Sequence, residues 1–118
     1  MGKAGRLSLH PRLRVLSGGE IALGPGKADL LEAIRRTGKL RTAAEELGMS
    51  YMRAWKLART MNGRFREPLI AYSRGGKSHG GASLTKTGER VLALYRQMER
   101  ASLEASTASW RRLRALLD

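Results

Sequence analysis

LRTAAEELGMSYMRAWKLARTMN, Leu40 to Asn62, reads as two short helices pivoting on Gly48. The first carries Leu40, Ala43, Ala44 and Leu47 at the i, i+3, i+4, i+7 spacing of one apolar helical face. Its small residues, Ala43 and Ala44, let a second helix cross closely. Gly48 takes the left-handed conformation that ends a helix at little cost. Ser50 suits the N-cap of the next helix, its hydroxyl accepting an orphan backbone N–H. Met49 and Ala54 sit where a modest hydrophobic staple closes. These are the parts of a helix-turn-helix, whose second helix normally enters the DNA major groove.

At 100° per residue, Ala54, Trp55, Ala58 and Met61 share one arc of that second helix and are expected to pack inward. Arg53, Lys56 and Thr60 fall opposite, with Met52 and Arg59 on the flank. The outward side is therefore cationic and can donate to guanine edges or phosphates. From Leu47 to Gly88 there are eight Lys or Arg and one acid, Glu67. An ordinary solvated helix in a basic protein is the plainer reading of the same charges.

The whole chain agrees with a polyanionic partner. Its 118 residues suffice for one domain with a real core, and 42% hydrophobic content argues against wholesale disorder. Net charge is +13 and the pI about 11.4. That much positive charge repels itself unless a polyanion neutralises it, nucleic acid before anionic membrane. With no cysteine, disulfides, thiolate metal sites and Cys nucleophiles are excluded. No apolar run approaches the roughly 18 residues of a membrane span, and no signal-peptide core opens the chain. A cytoplasmic location without membrane contact is expected.

Outward from the central stretch, residues 1–12 are basic and aperiodic and read as a flexible arm. Leu13 to Leu23, LRVLSGGEIAL, places two apolar runs around Gly18-Gly19, a β-hairpin signal whose register the alternation leaves open. Gly24-Pro25-Gly26 then breaks the chain before a helix from about Lys27 to Arg36, with Leu30, Leu31 and Ile34 inward and Gly38 as its stop. Downstream, Asn62-Gly63 is expected to end the second helix of the helix-turn-helix. Pro68 to Ser73 reads as a strand and Ala82 to Leu84 as its return. Between them RGGKSHGG, Arg74 to Gly81, interleaves four glycines with Arg74, Lys77 and His79. Such a tip is a candidate wing, lying along the DNA backbone or minor groove. A nucleotide-binding loop fits poorly: neither GxxxxGK[ST] nor GxGxxG is present, and no helix follows directly. His79 has no neighbouring ligands for a metal.

Thr85 caps a last helix from about Lys86, where Val91, Leu94, Tyr95, Met98, Ala101, Ser102 and Ala105 form a 3.6-period stripe. Leu103, Trp110 and Leu117 follow at seven-residue spacing. This helix either runs near to the C-terminus or breaks around Ser106-Thr107. So long a stripe exceeds what a small domain covers, and its simplest partner is a second copy in a twofold dimer. Val91, Leu94, Tyr95, Met98, Ser102, Ala105 and Trp110 are the candidate dimer residues. Capping of the chain's own core is the alternative.

Three stretches in order, GMSYMRAWKLARTMN (48–62), RGGKSHGGASLT (74–85) and TGERVLALY (87–95), resemble the N-terminal DNA-binding domain of ModE-type molybdate-responsive transcription regulators. That family carries a Ser-Tyr-x-x-Ala-Trp recognition helix, a Gly-Gly-Lys-rich wing and an L-T-x-x-G helix start. LysR-type regulators share the last of these but not the glycine cluster. The resemblance spans roughly Leu13 to Ala105. It implies a mainly α fold with a small β wing, a winged helix-turn-helix with a long C-terminal dimerisation helix. It also implies a homodimer on operator DNA.

The candidate DNA contacts are Ser50, Tyr51, Met52, Arg53, Lys56, Arg59 and Thr60, with Arg74, Lys77 and His79 in the wing. The division expected is an arm over 1–12, the winged domain over 13–84 and the dimerisation helix over 85–118. ModE-type regulators usually add C-terminal molybdate-binding domains, for which a chain ending at Asp118 has no room. A link to molybdate regulation is implied, but molybdate binding within this chain is not expected, and no cofactor or metal is. A sequence-indifferent architectural DNA-binding protein would use the same basic surface. Two Asp, two His and no Cys offer no catalytic constellation, so no enzyme activity is expected.

Overall fold

The computed structural model describes residues 6–73 and 80–118. A hairpin comes first, β1 (Val15–Ser17) against β2 (Glu20–Leu23). Gly18 and Gly19 at its tip both have positive φ, +60° and +85°, as a two-residue turn matched to strand twist requires. The register left open by the sequence is Leu16 opposite Ile21 and Ser17 opposite Glu20, with an irregularity between Val15 and Leu16. The first helix, α1 (Pro25–Thr37), begins two residues before the expected Lys27. Pro25 is its opening residue rather than part of a break, since a first-turn N–H has no intrahelical partner to lose.

The helix-turn-helix follows as α2 (Leu40–Glu46) and α3 (Tyr51–Arg64). Gly48 sits at φ +69° in the turn, and the Ser50 hydroxyl accepts from the Arg53 N–H at 3.1 Å. The wing strands are β3 (Ile70–Tyr72) and β4 (Ala82–Leu84), paired antiparallel with Ala71 opposite Ser83. Their base is tied back to the α1–α2 connection: the Ala82 N–H donates to the Gly38 carbonyl at 2.8 Å, and Lys39 bridges Gly81. Arg74, Lys77 and His79, expected at the tip, lie outside the described residues.

A single core joins these elements. Leu30, Leu31 and Ile34 of α1, Ala43 and Ala44 of α2, Ala54, Ala58 and Met61 of α3, Leu69 and Ile70 beside the wing, and Leu92 and Tyr95 beyond it are all buried. The small residues on α2 and α3 bring the two helices into close contact, as their sizes allow.

Three expectations need correction. Trp55 is not inward but 38% exposed. The buried stripe of α3 is narrow, made by Ala54, Ala58 and Met61, and an indole on its edge does not fit between closely packed backbones. Gly63 does not end α3, which runs on to Arg64. Asn62 spends its side chain on the neighbouring strand instead: its Oδ1 accepts from the Leu69 and Ile70 N–H groups, and its Nδ2 donates to the Ile70 carbonyl. Tyr95 is no surface dimer residue. It is fully buried, with its hydroxyl donating to the Leu13 carbonyl at 2.8 Å.

The last segment is α4 (Lys86–Ala105), capped as expected by Thr85, whose hydroxyl accepts from the Gly88 N–H at 2.9 Å. It does not continue unbroken. The helix turns at Ser106 into α5 (Thr107–Arg114), where the Thr107 hydroxyl bonds back to the Leu103 carbonyl, a competition for backbone acceptors typical of Ser and Thr. No residue of α5 is buried.

Candidate nucleic-acid interface

The exposed face of α3 is a consequence of its narrow inner stripe. Tyr51, Met52, Arg53, Lys56 and Arg59 are exposed around it, while Thr60 is half-buried and its hydroxyl donates to the Lys56 carbonyl at 2.9 Å. The sequence-derived set on this helix is thus one continuous surface, and Trp55 joins it. Two arginines are braced there by aromatic rings. The Arg59 guanidinium lies 5.3 Å from the Trp55 ring centre, and that of Arg41 lies 4.6 Å from the ring of Tyr51. Stacking of this kind holds a planar cation without consuming its hydrogen-bond donors. Tyr72, on the wing strand, has its pKa raised by desolvation and by the proximity of Tyr51, which joins the wing base to the same surface.

The distribution of acids sharpens the polarity. Arg96 of α4 gathers Asp29, Glu32 and Glu99 within 3.0 Å, Arg35 pairs with Glu89, Arg36 with Glu46 and Arg64 with Glu20. Burial disfavours the charge on Arg96, but its bonds to Asp29, Glu99 and Glu32 outweigh this and raise its pKa. Among the described residues, no ion pair engages Arg41, Arg53, Lys56 or Arg59. Carboxylates join α1 to α4 and to α2 and hold Arg64 at the end of α3, while Arg53, Lys56 and Arg59 of α3 stay available.

Arg41 and Lys39 are site candidates that the sequence reading missed. Their signal is in the sequence: Lys39 precedes α2, and Arg41 is the one Lys or Arg of Leu40–Asn62 placed before the Gly48 turn. Only the fold shows that Arg41 reaches Tyr51.

A second surface lies away from α3. Val15, Leu23, Phe65, Leu94, Met98 and Ala101 line an almost wholly apolar groove of about 570 Å³ beside α4. Of the stripe expected to face a second copy, Leu94 and Met98 are exposed at 51% and 43%, Ala105 is exposed, and Val91, Ser102 and Trp110 are half-buried. Among the described residues, no group of three or more His, Cys, Asp or Glu could hold a metal ion, and no helix is long and apolar enough to cross a membrane.

No family model matches the chain. Individual relatives do. It is 42% identical over 77 residues to the molybdenum-pterin-binding protein MopB of Rhodobacter capsulatus, covering 65% of this chain and 28% of that protein. Over 78 residues it is 42% identical to the molybdenum transport protein ModE of Azotobacter vinelandii, 66% of this chain and 29% of the relative. The transcriptional regulator ModE of Yersinia pestis is 41% identical over 71 residues, 60% and 27% of the two chains. The chain therefore spans under a third of the length of these curated relatives. Among solved structures, the DNA-binding domain of CbnR in complex with DNA superposes with a TM-score of 0.52 at 22% identity, over 79% of this chain and 97% of that one. A LysR family transcriptional regulator, VV2_1132, gives 0.55 at 11% identity, over 79% and 30%. These likenesses show the winged helix-turn-helix fold, and the relatives show the ModE-type resemblance.

Proposed function

We propose that this relative of the ModE-type regulators is a DNA-binding transcription regulator, reading operator DNA as a homodimer with α3 in the major groove. The observation that carries the reading is the exposed face of α3, where Arg53, Lys56 and Arg59 have no acidic partner among the described residues, on a packed helix-turn-helix. Phosphate contacts supply affinity by releasing counterions, so binding falls steeply with salt. Side chains at the crest of α3 discriminate bases, each good bidentate contact being worth roughly 1–3 kcal/mol. The wing residues Arg74, Lys77 and His79 add backbone contacts beside it.

Dimerisation through the exposed residues of α4 and α5 implies a palindromic site with half-sites about one helical turn apart or a multiple of it. The role is binding rather than catalysis. Relatives called ModE support regulation, and CbnR with its DNA supports this fold as a DNA reader. A net charge of +13 equally suits a sequence-indifferent architectural protein.

Selection of bound duplexes from a random library at physiological salt separates the two. A recovered palindrome bound far more tightly than random DNA is expected, with the preference lost in Lys56→Ala. A specificity ratio near one overturns the regulator reading in favour of the architectural one. Repeating the selection with and without molybdate tests whether the chain shares the molybdenum link in its relatives' names.

A further inference from the structure

Two cationic clefts border α3, one on each flank. The first, of about 420 Å³, is lined by Lys39, Arg41, Thr42, Tyr51 and Gly80, at the junction of α2 with the wing base. The second, of about 350 Å³, includes Arg12, Arg14, Met49 and Arg53, between the N-terminal segment and the start of α3. Lys27 also borders the second, but it is largely buried, with its ammonium donating to the Ile21 carbonyl and its pKa lowered by desolvation. The second also takes the half-buried Leu57 from α3, and the exposed α3 residues of the two clefts are Tyr51 and Arg53. At 3.6 residues per turn these two point about 160° apart around the helix axis. Neither cleft has an acidic lining residue.

Resting on the DNA-binding reading above, we infer that these clefts seat the two sugar-phosphate strands that wall the major groove. Arg41 and Arg53 are then positioning residues, and base discrimination falls to Met52, Lys56 and Arg59. The argument is one of dimensions. A helix with side chains is about 10–12 Å across and the major groove about 12 Å wide, so a helix inserted there meets a phosphate wall on either flank. Met52, Lys56 and Arg59 lie between the two flanks and face the groove floor. Arg53 looks outward in sequence, but the fold sets it beside Arg12 and Arg14, a cluster suited to anionic oxygens rather than to one base edge. On the other flank, Tyr51 holds the Arg41 guanidinium in place, and Lys39, Thr42 and the Tyr51 hydroxyl supply further donors to one backbone segment. That cleft also lies where a strand must pass if α3 is in the major groove and the wing beyond it.

The test uses the full chain and the duplex recovered by selection, with single phosphates replaced one at a time by neutral methylphosphonates. Arg41→Gln and Arg53→Gln are each expected to lower the slope of log affinity against log salt by about 1.8, about 0.9 from each protomer of the dimer, and leave base preference unchanged. Each should also become insensitive to one neutralised phosphate in each half-site, and within a half-site these lie on opposite strands for the two variants. Arg53→Lys, which keeps the charge, should retain the slope. Both arginines are exposed, so melting curves should match the parent chain.

Loss of base preference at an unchanged slope, insensitivity to the same strand of a half-site in both variants, or parental binding by both overturns this inference and leaves the regulator reading standing. Failure of the parent chain to bind any duplex overturns both.

Discussion

Asn62 holds Ile70 on both sides of its residue, accepting from its N–H at 3.0 Å and donating to its carbonyl at 3.0 Å. A third bond, from the Leu69 N–H at 2.8 Å, completes the clamp. The last turn of α3 is thereby joined to the first wing strand by a single side chain. Asn62→Ala leaves two N–H groups and a carbonyl of buried residues without their partner. It should lower stability by about 2–3 kcal/mol, measured by urea denaturation. It should also weaken DNA binding on every sequence alike; full retention of stability would show that the clamp is not needed.

Gly88 sits where α4 meets the chain before the wing. A Cβ built there falls 2.1 Å from the Leu69 carbonyl oxygen, a backbone atom that cannot turn aside. Gly88→Ala should cost about 3 kcal/mol, seen as a large fall in melting temperature. Gly63, inside α3, has nothing within 4 Å of its Cβ position. There the same substitution should stabilise by about 0.5–1 kcal/mol, because alanine loses less backbone freedom in a helix. Equal effects of the two would contradict the packing described.

Tyr95 links α4 to the N-terminal segment, and burial raises its pKa, with Glu99 adding to the effect. A folded-state pKa above the unfolded value means that the neutral phenol's contribution is fully present below the unfolded pKa, about 10. It is lost as pH rises through the folded value. Tyr95→Phe should cost about 1 kcal/mol at neutral pH through the lost bond to Leu13. The variant should also lose less stability than the parent between neutral and strongly alkaline pH. Parallel pH profiles of the two chains would remove Tyr95 from that dependence.

Leu94 and Met98 test the proposed dimer. Both are exposed on α4, so Leu94→Glu with Met98→Glu should leave the fold's melting curve nearly unchanged. Sedimentation should show a dimer for the parent chain and a monomer for the variant, since two carboxylates would be desolvated in the interface. Palindromic DNA should then be bound with the affinity of a half-site. A variant still dimeric would place the contact elsewhere.

Local rules carried much of this fold. The Ser50 and Thr85 caps and the Gly48 turn stand where the sequence puts them, because each depends on residues within a few positions of itself. The errors came from partners distant in the chain. Tyr95 completes an apolar stripe by spacing, and only a contact 82 residues away makes it core. Asn62 looked like a helix stop until its amide met β3. Helical angle alone places Trp55 inward, and it cannot show how narrow the seam becomes when Ala54 and Ala58 form it. At the candidate site the cations of α3 were legible from periodicity. The bracing of Arg41 by Tyr51 needed the crossing of two helices to appear.

Leu69 stands between the end of α3 and the start of α4 and is bonded to both sides. Its N–H belongs to the Asn62 clamp, while its carbonyl takes the Thr85 N–H at 2.9 Å and lies against Gly88. In mechanical terms it is a fulcrum, with α4 as an arm about 30 Å long by helical rise. A torque applied along that arm, by any body that docks on it, reaches the tail of α3 by this route as well as through α1, which the ion pairs of Arg35 and Arg96 tie to α4. The tilt of α3 and the bearing of α4 are therefore mechanically linked.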